Sequence, residues 1–171
     1  MKTLLSFIML STILTTTHAQ QLFEAVRAND STYVQHYIDI GGDVNATDEK
    51  GYSLLILAAY NESEAVARLL ISSGCAINMA DKSGNTALMG ASFKGYKNIV
   101  TLLLENGADV NQRNGNGASA IFFAALFGRF ETVKILKVHK ANLKLTDATG
   151  KTPSDYSKAQ ENTEMTKLLN D

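Results

Sequence analysis

Few residues in this chain could carry acid–base, nucleophilic or metal chemistry. Beyond residue 19 the histidines are His36 and His139, and the single cysteine is Cys75. Neither histidine has a cysteine or another histidine at the spacing that zinc ligands use. Neither can be matched with an evident serine or cysteine nucleophile and an orienting acid. We therefore expect no catalytic residue, no metal site and no cofactor, and we predict that the protein is not an enzyme.

Ordinary structural roles account for these residues. His36 falls on an expected helix as a packed or rim side chain, and His139 lies near a helix end whose dipole favours a partly charged imidazole. Cys75 stands where a small residue recurs, so we expect a buried, inert thiol. The stretch Gly115-Asn116-Gly117 lacks the G-x-x-x-x-G-K-[ST] context of a phosphate-binding loop.

An internal repeat of 33 residues determines the elements that must position any functional surface. Glycines recur at this step in two columns, apolar pairs recur between them, and alanines form a further column. Several columns at one period predict a stack of similar units. The columns are Gly51, Gly84, Gly117 and Gly150; Gly41, Gly74 and Gly107; Leu69/Leu70, Leu102/Leu103, Ile135/Leu136 and Leu168/Leu169; and Ala58, Ala91 and Ala124.

The unit Asp81–Arg113 shows the expected structure of each repeat. A tight turn comes first, in which Gly84 can take a positive φ and the recurring aspartates Asp48, Asp81 and Asp147 stabilise the turn. Thr86 then caps a first helix, Ala87–Lys94, and a second helix follows at Asn98–Asn106. Such a helix pair is too small to bury its own apolar face, so the units must stack.

This pattern resembles the ankyrin repeat, which reads D-x-x-G-x-T-P-L-H-x-A-A, then a second helix with L-L, then G-A-D-V-N. The matching residues are Asp81, Gly84, Thr86, Leu88, Ala91, Gly95, Leu102, Leu103, Gly107, Ala108, Asp109, Val110 and Asn111. The resemblance implies an all-α solenoid of stacked helix–turn–helix units with β-turn tips, about five units including the caps. The implied units are a cap at 20–47, repeats at 48–80, 81–113 and 114–146, and a C-terminal cap at 147–171.

The chain departs from the family pattern at two kinds of position. The family's histidine is replaced by Ile56, Met89, Phe122 and Asp155. We therefore expect the histidine-mediated bonds between turns to be missing and apolar packing to carry more weight. In the fourth unit Lys140 replaces the glycine after the second helix and Lys144 replaces the final asparagine, which predicts an irregular connection over His139–Lys144.

Residues 1–19 have the three-part pattern of a secretory signal peptide. Lys2 is followed by the apolar stretch Leu4–Leu14 and by Thr17-His18-Ala19, which predicts cleavage between Ala19 and Gln20. The stretch has 11 residues, whereas a membrane-spanning helix needs about 20. We expect an exported protein with no membrane insertion after cleavage, located in a bacterial periplasm or, as the alternative, outside the cell.

Charge and length exclude several classes of function. The 152 residues after Ala19 suffice for one domain and carry 15 basic and 17 acidic residues. Such a balance gives no electrostatic footprint for nucleic acid or for an anionic membrane. We expect a protein partner and no nucleic acid, and we assume a monomer.

The resemblance places the binding surface on a concave groove formed by the turn tips and the first helices. Carried over by position, the predicted partner-binding residues are Lys50, Tyr52, Tyr60, Asn61, Lys82, Asn85, Phe93, Lys94, Leu126 and Phe127. Aromatic side chains in such a groove are the usual anchors of protein interfaces.

These features lead to one hypothesis and its alternatives. We hypothesise a non-enzymatic module that binds a folded protein outside the cytoplasm, as an inhibitor or immunity protein of a hydrolase. The alternatives are a periplasmic scaffold that supports an oxidative-stress enzyme such as a catalase, and a protein that binds a small ligand.

Overall fold

The computed structural model describes residues 19–171, which form ten helices and no β-strand beyond two isolated bridges. The predicted signal peptide and its apolar stretch lie outside the described residues, apart from Ala19. The helices are α1 (helical over 19–27), α2 (Ser31–Asp39), α3 (Leu54–Tyr60), α4 (Glu64–Ser72), α5 (Ala87–Lys94), α6 (Lys97–Glu105), α7 (Ala120–Leu126), α8 (Phe130–Val138), α9 (Pro153–Ala159) and α10 (Thr163–Asn170).

The helices stack in two layers. The first helices of successive units contact one another in the order α3, α5, α7 and α9, and the second helices do so from α2 to α10 in the same order. Each first helix also packs against the second helix of its own unit. The predicted all-α solenoid is confirmed. Within the unit Asp81–Arg113 the first helix has the predicted bounds, and the second begins and ends one residue earlier than predicted.

Side-chain caps fix the beginning of most first helices. The hydroxyls of Ser53 and Thr86 accept hydrogen bonds from backbone amides three residues ahead, as the sequence predicts for Thr86. Thr152 and Asp155 form a reciprocal capping box in front of Pro153. The first helices α3, α5 and α9 therefore begin at caps that can be read from the sequence, whereas Ser119 makes no capping bond in front of α7.

The core follows the apolar columns. Leu70, Leu103 and Leu136 are fully buried, and Leu169 is 4% exposed. Their partners one residue earlier are less buried, because they lie towards the edge of the same helix face. Ala58, Ala91 and Ala124 are also fully buried. These small residues lie where successive first helices approach each other.

The connection after α8 is regular, so the predicted irregularity over His139–Lys144 is wrong. Lys140 has φ +64°, in the left-handed region that Gly74 occupies at +79° in its own unit. The amides of Lys140 and Ala141 donate to α8 carbonyls in the pattern seen after α4. The helix end imposes this backbone shape on a lysine, at a strain of about 1–2 kcal/mol.

An asparagine ladder joins the loops that follow the second helices. The Oδ1 atoms of Asn45, Asn78 and Asn111 accept from the backbone amide 31 residues ahead, at 2.7, 2.8 and 2.7 Å. Lys144 stands at the fourth position of this column, and within the described residues the ladder ends there. Lys144 in place of asparagine thus ends the ladder, although the backbone of its own loop stays regular.

Neighbouring turns are joined by hydrogen bonds despite the lost histidines. The amide of Gly115 donates to the Ser83 carbonyl at 2.9 Å, and the amide of Ala148 donates to the Asn116 carbonyl at 2.8 Å. Lys82 Nζ donates to the Glu49 carbonyl at 2.7 Å. Backbone and lysine hydrogen bonds therefore join the turns in addition to the apolar packing that the sequence predicts.

Candidate functional site

A groove is lined by residues of α3, α5 and α7 and of the turns that precede α3 and α5. Between α3 and α5 it deepens into a cavity of about 320 Å³, which we call the groove cavity. Four of the predicted binding residues line it, namely Tyr52, Tyr60, Asn85 and Phe93. Most of its other lining residues are apolar side chains of the first helices.

Three aromatic rings form a continuous row along this groove. Tyr60 stacks on Phe93 with ring centroids 5.9 Å apart, and Phe93 meets Phe127 edge to face at 4.4 Å. Tyr60 and Phe127 are each 43% exposed, whereas Phe93 between them is half-buried. The row, which we call the aromatic row, holds three large side chains in fixed orientations on one surface.

Lys94 lies over the aromatic row. Its ammonium group is 4.4 Å from the centre of the Tyr60 ring, close enough for a cation–π interaction. Leu126, on the next helix, is half-buried, and its carbonyl accepts a hydrogen bond from Gln160 Nε2 at 3.1 Å. Lys94 thus brings a positive charge next to Tyr60 and Phe93, which line the groove cavity.

The other predicted binding residues are partly occupied by structural bonds. The side-chain amide of Asn61 donates to the Leu57 carbonyl, and Lys82 spans two neighbouring turns. Asn85 bonds Asp81 in its own turn and accepts from Asn114 in the next. Lys50 is exposed at a turn tip. Lys82 and Asn85, both predicted to bind a partner, therefore also hold neighbouring turns together.

Two residues of this surface escaped the sequence reasoning. Gly90 lies in the middle of α5 and lines the groove cavity. A glycine inside a helical sequence pattern is unusual, and this could have marked Gly90 as a position of interest. Arg129 precedes α8, and its Nε donates to the Phe93 carbonyl at 3.0 Å. No sequence signal marks Arg129, because its partner lies 36 residues earlier in the chain.

Hydrogen bonding and burial shift the pKa values of Asp147, Tyr156 and Cys75. Hydrogen bonds from Tyr156 and Thr149 hold the pKa of Asp147 well below its usual range, and the same Asp147 contact raises the pKa of Tyr156. Burial raises the pKa of the half-buried Cys75, so its thiol is less reactive, although the side chain is less buried than predicted.

The described part of the chain offers neither a metal cluster nor a membrane span. Across residues 19–171, no three histidine, cysteine, aspartate or glutamate side chains gather closely enough to hold a metal ion. No helix there has the length and apolarity needed to span a bilayer. His36, for its part, is exposed on α2.

Comparison with known families decides the identity of the fold. A family described as ankyrin repeats in three copies matches residues 22–114. A second, described as ankyrin repeats in many copies, matches residues 103–157. The chain belongs to the ankyrin-repeat family. Ankyrin-repeat proteins are generally non-enzymatic modules for protein–protein interaction, and membership indicates a protein partner here.

Similarity to individual proteins is local. This ankyrin-repeat chain is 38% identical over 53 residues to the mitochondrial disaggregases of Bos taurus and Homo sapiens. The matched stretch covers 31% of this chain and 8% of either disaggregase. The similarity spans a length of about one and a half repeats. It therefore indicates a shared repeat and gives no information about the activity of the larger protein.

Proposed function

We propose that this ankyrin-repeat protein is an exported, non-enzymatic module that binds a folded protein in its concave groove. The observation that carries the proposal is the aromatic row, since two of its rings are 43% exposed on a concave surface. Large apolar side chains held open to solvent in this way are typical of binding surfaces.

The rigidity of the row suits it to act as an anchor. Each ring packs against a ring of a neighbouring unit, so little side-chain freedom is lost when a partner docks. Tyr52 extends the apolar surface at the turn side of the groove cavity. Lys94 beside the row, and Lys50 and Lys151 at turn tips, would add polar or charged complementarity, whereas Lys82 already bonds Glu49.

Within this function, the role that we favour is inhibition of a hydrolase, as an inhibitor or immunity protein. A module that buries an exposed aromatic row in a partner can mask that partner's own functional surface without doing chemistry. A scaffold for an oxidative-stress enzyme such as a catalase is the alternative. The groove cavity favours a third candidate, small-ligand binding, although its 320 Å³ is at the lower end of ligand pockets, which span about 300–1,000 Å³.

Replacing Phe93 and Phe127 together by alanine is expected to abolish partner binding. Each truncation of an interface anchor costs about 2 kcal/mol or more, or roughly 30-fold in affinity. Immobilised wild-type and variant proteins would be compared for capture of partners from a periplasmic extract, with bound proteins quantified by mass spectrometry. Retention of every captured partner by the double variant would disprove the groove as the binding surface.

The matched control is the double variant Ile40→Ala/Val138→Ala. Ile40 and Val138 are 70% and 80% exposed at the ends of second helices, outside the groove. These substitutions also remove exposed apolar side chains, but they should leave capture unchanged. Melting curves of both double variants would exclude unfolding as the cause of any loss.

Export is tested separately by expressing the full-length chain in a bacterium with a periplasm. Because the N-terminal pattern is that of a signal peptide, we expect the protein in the periplasmic fraction with Gln20 as its first residue. N-terminal sequencing of the purified protein measures the cleavage site. A cytoplasmic protein that still begins at residue 1 would refute export while leaving the groove proposal standing.

A further inference from the structure

The structure gives no backbone reason for a glycine at position 90. Gly90 is a helical residue of α5 without a positive φ, and its amide donates to the Thr86 carbonyl at 3.1 Å. A glycine in a helix interior weakens the helix relative to alanine. Gly90 therefore reduces the stability of α5 without meeting any conformational need of the chain.

Close packing does not require this glycine either. A Cβ atom at position 90 would lie 3.6 Å from Tyr60 Cδ2 and 3.9 Å from Tyr60 Cβ, which are ordinary van der Waals distances. The equivalent positions in the neighbouring units, 33 residues away, are Leu57 and Phe123. The absence of a side chain between these two bulky residues leaves the groove cavity open.

The charged and amide groups that line the groove cavity already have partners, which leaves the hydroxyls of Tyr52 and Tyr60 as its open polar groups. Asp81 accepts bonds from Ser83 and Asn85 within its turn, and the Thr86 hydroxyl caps α5. The remaining walls are mostly aliphatic and aromatic, with Tyr60 and Phe93 on one side. We therefore expect a mainly apolar occupant, because the two tyrosine hydroxyls are the polar lining groups left to satisfy a buried polar atom.

The charges at the cavity are the Asp81 carboxylate, which is occupied by bonds within its own turn, and an unpaired positive charge on Lys94. Among residues 19–171 the ion pairs are Arg27–Asp48, Arg68–Glu64, Lys134–Glu131 and Lys158–Asp155, and none involves Lys94 or Arg129. Lys94 lies over Tyr60, which lines the cavity, and Arg129 bonds the backbone of Phe93, which lines it too. A carboxylate next to the apolar occupant, on its Lys94 side, would complement this cation.

We propose that the Gly90 position is a specificity pocket for one large apolar side chain of the protein partner, an aromatic or a leucine, next to an acidic residue. The pocket deepens the proposed function and rests on it, because the occupant belongs to the same docked protein. The proposal predicts that a loop of the partner docks in the pocket, with one apolar anchor residue and a carboxylate next to it.

The pocket can be tested with N-acetyl-tryptophan, whose indole and carboxylate represent the two parts of that contact. Binding to residues 20–171 would be followed by the NMR chemical shifts of the backbone amides. We expect half-saturation at roughly 1 mM, with the largest shift changes at Gly90, Tyr60 and Phe93. N-acetyl-tryptophanamide, which lacks the charge, should bind about two- to fivefold more weakly. N-acetyl-lysine should leave these amides unshifted.

Variants at the pocket separate binding from folding. Gly90→Leu should remove N-acetyl-tryptophan binding by filling the cavity, and Gly90→Ala should weaken it while raising Tm by roughly 2–4 °C. Ile40→Ala, far from the groove, should bind as the wild type does. Unchanged binding by Gly90→Leu, or no shift at Gly90 in the wild type, would overturn the pocket.

The two levels of the proposal fail in different ways. If Gly90→Leu still captures the partner that Phe93→Ala/Phe127→Ala loses, the pocket is wrong and the groove function remains. If the Phe93→Ala/Phe127→Ala variant keeps every partner, the groove function fails whatever N-acetyl-tryptophan does. Loss of the partner by Gly90→Leu, with the fold intact, supports both.

Discussion

Leu103→Ala is expected to lower the free energy of unfolding by about 2–5 kcal/mol, the range of comparable core truncations. Leu103 is fully buried on α6, which packs against α5 in its own unit and against α4 and α8 in the neighbouring units. Truncation would leave a cavity at a junction of four helices. In a stacked array the damage affects the unit and both of its interfaces.

Urea unfolding followed by circular dichroism measures this loss. Leu102→Ala should fall in the same range but lower within it, because Leu102 keeps 6% of its surface exposed. Ile40→Ala is the control, since Ile40 is 70% exposed and should change the unfolding midpoint little. An effect of Leu103→Ala no larger than that of Ile40→Ala would mean that the buried face of α6 is assigned wrongly.

Gly84→Ala is expected to destabilise the protein by about 2–5 kcal/mol, for two reasons that add. Gly84 has φ +83°, a conformation that strains alanine. A Cβ atom there would also lie 2.8 Å from the Gly115 amide nitrogen and 3.0 Å from Asn114 Cα. Both contacts are with the backbone of the next turn, which cannot move aside without disturbing its own hydrogen bonds.

Gly150→Ala provides a matched control for this prediction. Gly150 occupies the same position in its own turn at φ +79°, but a Cβ atom added there would meet no atom of another turn within 4 Å. It should therefore show only the strain of the left-handed conformation, about 1–2 kcal/mol. Equal losses for the two variants in urea unfolding would show that the turns do not constrain each other.

The repeat, its turns and its caps could be predicted because they depend on residues close together in the chain. Asp81 accepts from the amides of Ser83 and Asn85, two and four residues ahead, as a turn-forming aspartate should. Thr86 caps a helix that starts at the next residue. The same turn bonds form in each of the four units from Asp48 onwards. A sequence period of 33 residues therefore predicts a stack of similar units.

Lys140 shows where reasoning from residue type alone failed. A lysine in place of glycine predicted an irregular connection, yet its amide and the next one make the same helix-end bonds as in the other units. The packing of α8 in the stack fixes the helix end, and the local preference of one residue is too weak to change it. Stacking also brings together the turns joined by bonds such as that from Gly115 to Ser83, which residue type does not predict.

The sequence by itself determined the all-α stack, its approximate helix bounds and the column that holds Tyr60 and Phe93. Only the tertiary structure decided what these residues can do, because side chains about one repeat apart become neighbours when units stack. That juxtaposition engages Lys82 and Asn85 in bonds between turns, places Lys94 over Tyr60 and opens a cavity at Gly90. The fold follows from local rules repeated along the chain, whereas the candidate site follows from contacts between the repeats.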